Sequence, residues 1–229
     1  MIPIGDDRYG DGSPALVTLG LVALNVLAFV LELTQPSPGA LQSLIQAWGV
    51  VPREYAVGRD LAPQIPLPFW STLFTSMFLH GGWAHLGGNM LYLWIFGDNL
   101  EKAMGPLRFL VFYLACGVGA GLAHVVFNSG SSVPTVGASG AISGILGGYL
   151  MLFPRNRVRV LTNYGVGSVP AAYMLGVWIL IQLVSSAGAI AQTAEGGGVA
   201  YLAHVGGFVV GLVLVRFFAR SGRSQTAWA

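Results

Sequence analysis

Eight polar or ionisable residues interrupt stretches that are otherwise apolar: Asn25, His85, Asn89, His124, Ser139, Ser143, Gln182 and His204. Two of them have the chemistry of a nucleophile and its base. Ser139 is followed by Gly140, Gly144 and Gly148 at spacing four, and His204 sits among Ala203, Gly207 and Gly211 at the same spacing. Small residues on one ridge let two helices approach until their backbones nearly touch. His204, three and seven residues before Gly207 and Gly211, falls on or beside that ridge. A serine that meets a histidine in a wet cavity can attack a carbonyl carbon. The imidazole takes the hydroxyl proton and later gives it to the leaving amine.

Such a reaction also needs donors for the oxyanion. The Ser139 backbone N–H, at a helix N-terminus, is one. His85 and Asn89, at i and i+4 on one helix face, supply two more. Each feature has a plainer reading beside it. Serine is a frequent N-cap, a glycine ridge packs helices without any chemistry, and His85 and Asn89 could satisfy each other. No acidic third member is evident, because Asp98 and Glu101 fall toward the opposite end of their span and Glu195 lies in an outer loop. The spacing therefore predicts a Ser–His dyad. A metal or other cofactor is not expected. No HExxH occurs, and His80 and His85, five residues apart, point roughly 140° from one another if helical. The single cysteine, Cys116, excludes an internal disulfide or a Cys-based zinc site.

The elements that must hold these residues follow from composition. Of 229 residues, 54% are hydrophobic and 9% charged, where a soluble domain has about 25% charged residues. A water-soluble globule is excluded, and a net charge of +2 is too small to point to nucleic acid. Six apolar runs of near-spanning length follow one another: Ala15–Leu33, Trp83–Leu100, Pro106–Phe127, Ser139–Phe153, Val169–Ala191 and Val199–Ala219. The first two are separated by a proline-rich connection, 34–82, with Trp48, Tyr55, Phe69 and Trp70, which reads as a partly ordered interfacial loop. The expected division is a soluble tail at 1–14, a six-helix membrane domain at 15–219 and a second tail at 220–229. Met1–Pro14 lacks the basic start and apolar core of a cleaved signal and is too acidic for a transit peptide.

Arg8, Lys102, Arg108, Arg155, Arg157, Arg159, Arg216, Arg220 and Arg223 gather on one side of this arrangement, leaving Arg53 and Arg59 on the other. The positive-inside bias places both termini in the cytoplasm. Span four, bounded by Ser139 and Pro154-Arg155, is short. Fifteen residues reach about 22 Å against a hydrocarbon core of about 30 Å. With Arg155 at the cytoplasmic interface, Ser139 starts roughly 8 Å below the outer surface. The segment 128–138 must then descend as irregular backbone, which is tolerated only beside a protein-enclosed or wet cavity.

The strings HGGWAHLGGN (His80–Asn89), GASG (Gly137–Gly140) and AHVGG (Ala203–Gly207) resemble the three signature elements of rhomboid intramembrane serine proteases. The likeness runs from about Ala15 to Ala219 and takes in GDNLEKAMG after span two and WGVVP in the long loop. It implies an all-α polytopic membrane protein, a six-helix rhomboid-like bundle with a short, recessed fourth helix. It implies Ser139 as nucleophile, His204 as general base, and His85, Asn89 and the Ser139 N–H at the oxyanion. Gly140, Gly144, Gly207 and Gly211 support the site by helix packing. His80 resembles the family's structural histidine of the first loop, and His124 matches no motif, reading as packed or interfacial.

The function implied is cleavage of single-span or polytopic membrane proteins near the outer end of a span, in a bacterial plasma membrane, with lipid as the surrounding partner and no nucleic acid. Two positions depart from the family pattern. Ser71 stands after Trp70 where an Arg is common, and Ser143 stands where many relatives place an aromatic that stacks on the base. The alternative from another class is an inactive rhomboid-like protein that binds membrane clients without cutting them.

Overall fold

The computed structural model describes residues 1–10, 12–191 and 200–219, with only the backbone for 187–191. Glu195, Val199, Arg220, Arg223 and the tail 220–229 lie outside the described residues. The chain order is β1 (Ile2–Asp6), α1 (Leu16–Leu33), α2 (Pro38–Trp48), α3 (Pro52–Val57), α4 (Thr72–Thr75), α5 (Trp83–Met104), α6 (Pro106–Phe127), α7 (Ser139–Leu152), β2 (Arg157–Thr162), β3 (Gly165–Pro170), α8 (Ala171–Ala191) and α9 (Tyr201–Phe218).

Among the described residues three helices, α1, α6 and α9, are long and apolar enough to cross a membrane, with mean hydropathies of 2.3, 2.0 and 1.8. Leu27, Leu31, Val126, Val184, Val213 and Phe217 point outward and exposed, as they should when the surrounding solvent is lipid. The core lies around α7. Every residue from Ala141 to Tyr149 is buried, against α5, α6 and α9. Phe96, Phe109, Phe112 and Tyr113 are fully enclosed in the same cluster.

Glycine decides how closely α7 and α9 approach. A Cβ on Gly207 would collide with the Gly140 carbonyl, and one on Gly211 with the Gly144 carbonyl. Gly147, which the spacing-four pattern passes over, is equally confined against the Phe208 carbonyl. Any side chain at these positions must push the two helices apart.

The long connection 34–82 is more ordered than an interfacial loop need be. Ser37 caps α2 by accepting from the Ala40 N–H at 3.2 Å, ahead of Pro38 at the first helical position. The WGVVP segment has a defined partner: Val50 and Thr135 exchange backbone hydrogen bonds at 3.0 and 2.8 Å. That bridge, with the Gly137 N–H donating to the Ser76 carbonyl at 2.8 Å, pins the irregular segment leading to Ser139.

Two features differ from the sequence reading. Span two runs one turn further, to Met104, and ends where Gly105 adopts φ +86° before Pro106 opens α6. The bundle is also not purely helical. Strands β1, β2 and β3 form an antiparallel sheet in that order. Val158 and Val160 point inward and are buried, while Arg157 and Arg159 point out. This period-two alternation was present in the sequence, but it is masked by the arginines and by its brevity. So Ile2–Asp6, within the segment expected to be a soluble tail, is a strand fixed to the end of the bundle.

Candidate active site

Ser139 is the first residue of α7, and His204 lies in the first turn of α9. The glycine contact between these helices brings the side chains together: His204 Nε2 lies 2.8 Å from Ser139 Oγ. Both residues are partly exposed. Ser139 has no role as an N-cap here, since α7 begins on it after Ala138 and no side chain caps that end.

His85 and Asn89 stand one turn apart on α5. They flank the backbone just before Ser139. Gly137 has φ +122°, a region open to glycine, and a Cβ there would lie 2.7 Å from the His85 ring and 3.6 Å from Asn89 Nδ2. The two side chains do not satisfy each other. His85 Nδ1 accepts from the Gly81 N–H at 3.3 Å, which leaves the proton of a neutral imidazole on Nε2, as a donor. Asn89 Nδ2 is buried without a hydrogen-bond partner. A buried orphan donor is costly in a folded protein, and this one lies beside the backbone that leads to Ser139.

Ser139 and Gly137 line a cavity of about 30 Å³ with His124, Thr135, Ser76 and Ala203, room for about two water molecules. His124 bonds Thr135 Oγ1 through Nε2 at 2.7 Å and contacts Asn128 Nδ2 at 3.3 Å. It therefore ties α6 to the descending segment, a placement no motif signalled. His80 is fully buried, its N–H donating to Glu32 Oε1 at 2.9 Å and its ring 5.1 Å from that of His85. Burial pushes the His80 imidazole down to about 4, with the neighbouring His85 adding to it and the Phe78 carbonyl opposing. His80 is thus a neutral packing partner of His85.

In the structure the Nδ1 side of His204 faces an amide: Gln182 Oε1 lies 2.8 Å away. One turn earlier on α8, Trp178 lies over the imidazole, ring centroids 6.1 Å apart at 36°. The aromatic that Ser143 does not supply thus comes from another helix, while Ser143 Oγ donates to the Ser139 carbonyl at 2.6 Å. Gln182 was visible as a polar residue in an apolar run. Nothing local distinguished Trp178 from any other membrane aromatic. Among the described residues no three His, Cys, Asp or Glu side chains converge as a metal site requires.

The three signature strings thus lie around one serine, and the Rhomboid domain family model matches residues 68–221. The chain belongs to the rhomboid family. It is similar to Rhomboid protease GluP of Bacillus subtilis (strain 168), 36% identical over 161 residues, covering 70% of this chain and 29% of that protein. Rhomboid-like protein 11, chloroplastic, of Arabidopsis thaliana is 31% identical over 155 residues, 65% of this chain and 52% of that one. Rhomboid protein 1, mitochondrial, of Saccharomyces cerevisiae is 28% identical over 158 residues, 67% and 43% respectively. The chain thus spans at most about half the length of these relatives. The family includes serine proteases as well as proteins named only as rhomboid-like.

Proposed function

We propose that this rhomboid is an active intramembrane serine endopeptidase, with Ser139 as nucleophile and His204 as general base. The observation that carries this reading is the 2.8 Å contact between Ser139 Oγ and His204 Nε2, with an unpartnered Asn89 amide beside the same backbone. Ser139 Oγ attacks the scissile carbonyl as its proton passes to His204 Nε2. The oxyanion is met by Asn89 Nδ2, His85 Nε2–H and the Ser139 N–H. His204 then protonates the departing amine, leaving an acyl-serine that water hydrolyses by the same steps, with the acid product released and Ser139 regenerated.

In this reading six helices, α1 and α5 to α9, cross the membrane, both termini are cytoplasmic and the membrane is a bacterial plasma membrane. The domain division is 1–14, 15–219 and 220–229. Helix α7, with 14 residues, spans about 21 Å and so opens below the outer surface. Substrates are single-span or polytopic membrane proteins cut near the outer end of a span, where the bond can leave its helix into the wet cavity. Small residues around the site favour a small residue before the scissile bond.

The test is a fluorophosphonate probe followed by peptide mapping, with a model single-span substrate assayed in parallel with and without a chelator. Labelling at Ser139 and chelator-insensitive cleavage near the outer end are expected. A folded protein that neither labels nor cuts overturns the reading in favour of client binding without hydrolysis.

A further inference from the structure

We infer that Gln182 is a positioning residue for this hydrolysis: its side-chain carbonyl holds His204 in the tautomer that leaves Nε2 free to accept the Ser139 proton. The inference rests on the assignment of Ser139 and His204 as nucleophile and base. A neutral imidazole has one N–H donor and one lone-pair acceptor, and which nitrogen carries the proton is set by the bond the other nitrogen makes. His204 is held from both sides, Nδ1 at 2.8 Å from Gln182 Oε1 and Nε2 at 2.8 Å from Ser139 Oγ. A carbonyl oxygen only accepts, so the bond to Gln182 exists only with hydrogen on Nδ1. Nε2 then presents its lone pair to the serine hydroxyl. With the amide turned over, Gln182 would donate to Nδ1, the proton would sit on Nε2, and the serine would face a group unable to take its proton.

The support for Gln182 is itself built. It is nine-tenths buried on α8, and the Ser186 hydroxyl donates to its main-chain carbonyl at 2.7 Å. Trp178, one turn before it on the same face, lies against the His204 ring and, at 6.1 Å and 34°, against Phe208. Helix α8 thus fixes both the plane and the tautomer of the base. An amide suits this place better than a carboxylate: it accepts the Nδ1–H bond in both the neutral and the protonated state of His204 without burying a negative charge in an apolar span.

The experiment compares the full chain with its Gln182→Leu and Gln182→Glu variants, each reconstituted with a model single-span substrate. Gln182→Leu lowers kcat roughly 10- to 100-fold, part of the usual contribution of a general base, at unchanged KM. Gln182→Glu, which restores an acceptor oxygen, recovers most of that loss. Histidine ¹⁵N spectra, assigned with His204→Ala, show hydrogen on Nδ1 of neutral His204 in the wild type and a move toward Nε2 in Gln182→Leu. If Gln182→Leu does not fold, Gln182→Met replaces it. Unchanged kcat and tautomer, or a loss that glutamate does not rescue with the tautomer unmoved, overturns the inference. The tautomer is read without substrate, so a protein that fails to hydrolyse while its tautomer depends on Gln182 defeats the protease reading and leaves only the control of the His204 tautomer by Gln182.

Discussion

The two ends of α7 are polar in opposite ways. At the Ser139 end, His80 Nε2 and Asn89 Nδ2 are buried with no partner, and His204 and Ser139 are partly exposed beside a cavity. At the other end, ten residues on, the Tyr149 hydroxyl donates to Asp6, and Asn99 Nδ2 bonds Asp6 Oδ2 at 2.9 Å and the Asp7 carbonyl at 2.8 Å. Asn99 Oδ1 accepts from the Tyr9 N–H at 2.8 Å. Nearby, Glu101 caps α1 by accepting from the Val17 and Thr18 N–H groups at 3.0 and 2.7 Å. Apart from Asp98 Oδ1, which is buried without a partner, the second cluster has its hydrogen bonds made, and so it holds the strand β1 and the helix ends in place. The first keeps a donor, Asn89 Nδ2, and an acceptor, His80 Nε2, unspent, which costs stability and, at Asn89, leaves something for a reacting group to bind. An unmade bond beside the Ser139–His204 contact says more about function than a dense network does.

This contrast is open to attack from both ends. The largest effect should come from Ser139→Ala and His204→Ala, each lowering kcat/KM by about 10³-fold or more with an unchanged thermal midpoint. The double variant should be no worse than either, because the two act as a unit. Additive losses in the double variant would separate the residues and dissolve the pair.

Next, Asn89→Ala should lower kcat by about 10²-fold, the scale of one oxyanion donor, and His85→Ala should lower it as well. Because the Asn89 donor is unpartnered in the resting protein, its removal should leave stability equal or slightly higher. A clear loss of stability with normal kcat would make Asn89 a structural amide like Asn99.

At the other end the expectation reverses. Asn99→Ala removes several buried bonds and should cost about 1–3 kcal/mol in unfolding free energy, while kcat of the folded fraction stays within about 2-fold. Chemical denaturation and single-substrate kinetics on one preparation decide this.

The effect with least bearing on activity is a pH dependence of stability. Burial lifts the Asp6 carboxyl from 3.8 to about 7, against the Tyr149 and Asn99 hydrogen bonds and with Asp98 and Asp7 adding to the rise. A folded-state value above the unfolded one means that the folded chain binds the extra proton. The contribution to stability is therefore full below about pH 4 and is lost as pH rises through about 7. The wild-type thermal midpoint should fall relative to Asp6→Asn between pH 4 and 8, and parallel curves would remove Asp6 from the account.

Much of the helical arrangement was legible in the sequence because apolar length and glycine spacing are local patterns. The starts of α1, α5, α6 and α7 fall within a residue of the apolar runs. The sheet was less legible, since six residues of alternation in Arg157–Thr162 compete with the expectation that arginines at a membrane edge are simply solvated. Gln182 was noted without a role, and Trp178 was not noted.

By itself the sequence determined which residues could react and that a bilayer must surround them. Composition sets the solvent, and side-chain type sets the chemistry. The near-contact of α7 with α9 was implied as well, because only glycine leaves room for one helix's carbonyl against another's Cα. Tertiary structure alone decided which partner each polar atom has: Gln182 for His204, Gly81 for His85, none for Asn89 Nδ2. Hydrogen bonding is directional and acts over about 3 Å, so it depends on how helices far apart in sequence are rotated about their axes, and no local pattern carries that rotation.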